Sequence, residues 1–135
     1  MLVLLSRLPF LSAGFGSDDD AWRIALSARR LAQTGEYNVS RMPGYPVPEY
    51  LTALVIDGGV VAVNMLSTLM TLVATTAFLL LLMRLHCREP CLAALAFAFT
   101  PIVYIASVSA MDYMWAMAFL LLTLLLLLYE RVWLA

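Results

Sequence analysis

The sequence contains no lysine, and all eight of its basic residues are arginine. It has one histidine and two cysteines, a formal net charge of −1, and charged side chains at only 13% of its 135 positions. These shortages each exclude something. Without a basic excess there is no footprint for a phosphate backbone, so nucleic acid is not an expected partner. Cys87 and Cys91 have Cys-x-x-x-Cys spacing, a poor one for zinc, and no second pair completes a site. With His86 beside them, they read as loop residues. The apolar start Met1 to Leu5 has its charge after it, at Arg7, and Pro9 follows, which is not the order of a secretory signal. It reads as the tail of a helix that begins earlier. With the blunt close at Trp133, Leu134 and Ala135, it points to a piece of a larger protein.

Apolar residues dominate, at 64% of the chain, and they come in blocks. No charged side chain occurs from Gly58 to Met83, from Cys91 to Met111, or from Tyr113 to Tyr129. A small soluble domain needs far more polar surface than this. A bilayer-spanning helix takes about 20 apolar residues, with about 17 as the lower limit. The expected fold is therefore all-α: an integral membrane unit with three spans at 58–83, 91–111 and 113–129. In the first span Thr68, Thr71 and Thr75 share a face suited to helix packing. Pro101 predicts a kink in the second, and Glu130 with Arg131 closes the third.

Most of the polar chemistry lies in residues 6–57. Asp18, Asp19 and Asp20 precede Ala21 to Gln33, a stretch without glycine or proline. Arg23, Ser27, Arg30 and Thr34 fall on one helical face, which predicts an amphipathic helix at the membrane surface that ends at Gly35. Ser17 and Asp20 fit a capping box, which would occupy Asp20 and leave Asp19 freer. Pro43, Pro46 and Pro48 predict an extended segment through Pro48. Leu51 to Ile56 then reads as a short half-embedded helix, broken at Asp57, Gly58 and Gly59.

Arg84 and Arg88 in the short loop, with Arg131, place that side in the cytosol by the positive-inside rule. Segment 6–57 then faces outward, although it carries five arginines of its own. Counting spans has a further consequence. The second span returns, so Asp112 comes back to the membrane face that carries Asp18, Asp19 and Asp20.

The order of these features resembles the amino-terminal part of the GT-C superfamily of glycosyltransferases, which includes protein O-mannosyltransferases and the aminoarabinose transferases that modify lipid A. The match is carried by Asp19-Asp20-Ala21-Trp22 and by Arg41-Met42-Pro43-Gly44-Tyr45-Pro46, followed by a span, an arginine-bearing turn, a span with Thr100-Pro101 and the hairpin acid Asp112. It covers nearly all of this chain but only the front third or less of those longer ones. The resemblance implies transfer of a sugar from a polyprenyl-phosphate donor to an acceptor at the outer face of a bacterial inner (plasma) membrane. A carboxylate would be the base, Asp19 first and Asp20 next, and Asp112 an assisting acid. It further implies substrate binding by Arg41, through the lipid phosphate, and by Tyr45 and Glu49. In some relatives a glutamate at the Glu49 position helps bind a divalent ion, but no histidine partner accompanies it here. Many relatives also carry an arginine where this chain has Asn64. The other reading is a small non-catalytic membrane protein or complex subunit, its acids merely stabilising a helix start.

Overall fold

The computed structural model describes residues 1–129, so the expected closing residues Glu130 and Arg131 lie outside the described residues. Seven α-helices run in order: α1 (Leu2–Arg7), α2 (Asp19–Thr34), α3 (Pro46–Val55), α4 (Gly59–Arg84), α5 (Pro90–Phe99), α6 (Pro101–Ser107) and α7 (Tyr113–Leu128). Two 3-10 turns, Leu8–Phe10 and Ile56–Gly58, complete the described secondary structure, which contains no strand.

The amphipathic helix predicted after the acids is α2, and Gly35 ends it in the left-handed conformation at φ 72°. The cap differs from the sequence expectation. Asp18 is the N-cap residue and accepts from the Asp20 amide at 2.9 Å, because the helix starts at Asp19. Ser17 therefore lies one residue too early to cap. Ser27, expected on the polar face, is buried and donates to the Asn38 carbonyl. The extended segment expected through Pro48 is also corrected, since α3 begins at Pro46 and contains both Pro46 and Pro48. First-turn amides have no partner within a helix, so proline is tolerated there. The first α3 amide to bond back is that of Glu49, to the Tyr45 carbonyl at 3.1 Å.

One described helical run, Pro46–Arg84, is long and apolar enough to cross a membrane. Its straight part α4 has 26 residues, about 39 Å at the helical rise against about 30 Å of hydrocarbon. The second expected span is not one helix. The α5–α6 pair passes the same test only jointly, across a 65° bend. Thr100 is extended there (φ −58°, ψ 130°), and Pro101 has no amide to continue the ladder. The third, α7, has 16 residues.

The polarity of α4 is inverted relative to a soluble helix. Asn64, Ser67, Thr68 and Thr71 are buried, while Val61, Leu69, Leu80 and Met83 are exposed. Inside, the polar groups tie elements together. Thr68 Oγ1 donates to the Ser107 carbonyl at 2.8 Å, and Asn64 Nδ2 donates to the carbonyls of Leu11 and Gly14 at 2.9 and 2.8 Å. Thr75, expected beside Thr68 and Thr71, is half-buried and its hydroxyl has no partner. Below this layer Ala74, Ala77, Ala106 and Ala118 let α4, α6 and α7 approach closely.

Asn64→Leu removes both donors yet leaves the Leu11 and Gly14 carbonyls in place. Each unsatisfied buried group costs about 1–3 kcal/mol. The variant should show a clearly lower Tm than wild type in detergent-solubilised unfolding. An unchanged Tm would mean that Asn64 does not hold the 11–14 loop.

Candidate functional site

Three separate segments converge at the end of the bundle where α4 begins. The first is the start of α2, which carries Asp20. The second is the loop between α2 and α3, which carries Arg41. The third is the turn between α6 and α7, which carries Asp112. Backbone contacts hold the first and third together, for the Ala110 amide donates to the Phe15 carbonyl at 2.6 Å. Gly16 permits the approach. A Cβ there would lie 3.0 Å from Ala21 Cβ and 3.1 Å from Ser109 Cβ, at a φ of +139° that side chains rarely adopt.

The Arg41 loop is held from inside by Glu49. That carboxylate is fully buried on α3. It accepts from the Tyr37 hydroxyl at 2.5 Å, from the Ser40 amide at 2.9 Å and from the Ser40 hydroxyl. Tyr37 also stacks on Tyr50 with ring centroids 5.2 Å apart. The hydrogen bond to Glu49, with burial and nearby charge adding to it, pushes the Tyr37 phenol up to about 12. Glu49 thus acts on the loop, and among the described residues no group of three or more His, Cys, Asp or Glu side chains is arranged to hold a metal.

So positioned, Arg41 bridges two acids. Its Nη1 binds the Asp20 carboxylate, and its Nη2 lies 2.7 Å from both oxygens of Asp112. The Arg41 side chain is 19% exposed and that of Asp112 only 6%. Tyr45 stands under the guanidinium at 4.8 Å and Tyr113 at 5.7 Å. Burial pulls the Arg41 pKa down, but hydrogen bonding and the charges of Asp112 and Asp20 outweigh it, so the group is held above its ordinary value. Arg41 Nε is buried without a partner. Arg23 Nη1 lies 3.9 Å from the other Asp20 oxygen, so two cations face the two carboxylates.

No family model matches this chain. Nor does any curated protein or solved structure.

Of the residues singled out from sequence, Asp20, Arg41, Tyr45 and Asp112 come together. Glu49 stands one step behind, anchoring the loop rather than facing the cluster. Asp19 is exposed in the first turn of α2, with no hydrogen-bond or ion-pair partner among the described residues. Sequence reasoning missed Tyr37, Ser40 and Tyr113. It also missed Arg7, counted only among the charges of segment 6–57 but completely buried against α5 and α6. The one available signal for Arg7 was a single charge between Leu5 and Leu8.

Because Tyr37 is raised from 10.0 to about 12, its neutral form is the one the fold favours. That contribution is complete below pH 10 and disappears as pH rises through 12. Glu49→Gln should bring the Tyr37 titration back toward its ordinary value, read as the ultraviolet difference between this variant and Tyr37→Phe. A Tyr37 titration unchanged in Glu49→Gln would contradict the anchoring role.

Proposed function

We propose that this chain is the amino-terminal portion of a GT-C-type membrane glycosyltransferase, transferring a sugar from a polyprenyl-phosphate donor to an acceptor at the outer face of the membrane. The observation that carries the reading is the Asp20–Arg41–Asp112 cluster, assembled from three segments at one end of an apolar bundle. The membrane setting is supported by the inverted polarity of α4 and by exposed Leu92, Ile102, Ile105 and Leu124. In this reading α4, the bent α5–α6 pair and α7 are the three spans, in a bacterial inner (plasma) membrane, with surrounding lipid as a partner.

The chemistry follows from the charges. Arg41 pairs with phosphate oxygens as readily as with carboxylates. A lipid phosphate arriving at Arg41 competes with Asp20 and Asp112, and a displaced carboxylate is ionised, close by and free to take the proton of the acceptor hydroxyl. Asp20 and Asp112 are the residues this exchange would release. Asp19 needs no release, and it stays the alternative base. Tyr45 and Tyr113 would keep the guanidinium in plane throughout.

A second reading is favoured by one observation: both clustered acids are already neutralised, and Asp18 caps α2. Those are sufficient structural roles for a non-catalytic subunit.

The test is sugar release from polyprenyl-phosphate donors in membranes containing the full-length gene product, with Asp19→Asn, Asp20→Asn and Asp112→Asn at matched expression. Loss of a general base lowers turnover by roughly 10²–10⁴-fold. That loss is expected in Asp20→Asn or Asp112→Asn, with Asp19→Asn near wild type. Loss confined to Asp19→Asn moves the base to the exposed acid. Wild-type turnover in all three would return the acids to a structural role and remove the proposed site.

A further inference from the structure

Arg7 is completely buried at the break between α5 and α6. It has no salt bridge to a carboxylate among the described residues; its partners are backbone carbonyls, hydroxyls and rings. Nε donates to Ser107 Oγ at 3.2 Å, and Nη1 to Ser6 Oγ at 2.7 Å and to the Val3 carbonyl at 3.4 Å. Nη2 donates to the carbonyl of Ala98, itself fully buried. Phe99 and Tyr104, one on each side of the break, cover the guanidinium at 4.8 and 4.2 Å.

The break explains why a cation belongs there. Had the helix continued, the Ala98 carbonyl would have accepted from the amide four residues on. The extended Thr100 and the 65° bend remove that donor. In an apolar surrounding an unsatisfied carbonyl is expensive, and it also sits at the negative end of the α5 dipole. The Arg7 fork meets both demands. Its other donor reaches Ser107, whose hydroxyl donates to the Tyr104 carbonyl at 2.6 Å and whose carbonyl accepts from Thr68 on α4. Tyr104 in turn donates its hydroxyl to the Ser6 carbonyl. One guanidinium therefore joins α1, α5 and α6, and through Ser107 it reaches α4.

We propose that Arg7 is a positioning residue that locks the α5–α6 elbow. The inference does not depend on the transferase reading, since it concerns the backbone break alone. A lysine does not substitute, because one ammonium lacks the planar fork and the flat face that the rings cover.

The experiment uses the full chain in lipid bilayers, with Cys87 and Cys91 changed to serine and spin labels at Leu92→Cys and Ile105→Cys, both exposed positions on either side of the elbow. In the wild-type background the interlabel distance should be a single narrow peak. Arg7→Met should broaden and lengthen it, Arg7→Lys should broaden it, and Ser107→Ala should do so to a smaller degree. Asn64→Ala, which weakens the fold elsewhere, should leave the peak narrow and so separates a local lock from general destabilisation. A narrow, unshifted peak in Arg7→Met would overturn the proposal. If that variant does not insert, the same narrow peak in both Arg7→Lys and Ser107→Ala would overturn it instead. Equal broadening in Asn64→Ala would count against it too.

Discussion

A guanidinium shared between two carboxylates organises the polar end of this molecule. Asp20, Arg41 and Asp112 belong to segments far apart in sequence, and none of the three is fully hydrated. An ion pair withdrawn from water gains only when its geometry is good and its remaining atoms are satisfied. The surroundings supply that geometry. Glu49 fixes the loop that carries Arg41, Gly16 lets the α2 start lie against the α6–α7 turn, and Tyr45 and Tyr113 confine the guanidinium. Arg41 Nε is the exception, buried and without a partner among the described residues.

The rest of the bundle obeys the complementary constraint. Its outward surface is apolar, so most of its inner polar groups are answered from within, Thr75 Oγ1 and Asn64 Oδ1 excepted. Thr68 does this between α4 and α6, Asn64 between α4 and the 11–14 loop, and Arg7 at the α5–α6 break. Buried Arg7 and half-buried Arg41 solve opposite problems. Arg41 is surrounded by charge of the other sign, whereas Arg7 is held by dipoles and ring faces alone.

Much of the fold was legible in sequence because the signals were local and strong. The charge-free run after Asp57 is α4, the glycine at 35 is the α2 terminator, and Thr100-Pro101 marks the bend. The return of Asp112 to the acidic end followed from counting apolar blocks. Proline misled at α3, because counting prolines ignores that the first turn of a helix has no use for those amides. The cap was misread by one residue, since Ser17 and Asp18 are both good cap residues and only the loop path chooses between them. That Arg41 bridges the acids was not legible at all. It depends on the Arg41 loop being held by Glu49, Tyr37 and Ser40, contacts nine to twelve residues apart that no short motif encodes.

Arg41 and Asp112 should behave as one energetic unit. A double-mutant cycle tests it, using unfolding of wild type, Arg41→Met, Asp112→Asn and the pair in the same detergent. Arg41→Met leaves the nearly buried Asp112 without a cation, whereas Asp112→Asn leaves Arg41 still paired with Asp20, so the first substitution should cost more than the second. Strong non-additivity is expected, with the double variant no less stable than Arg41→Met alone. Additive losses, with each substitution weakening the protein independently of the other, would contradict it.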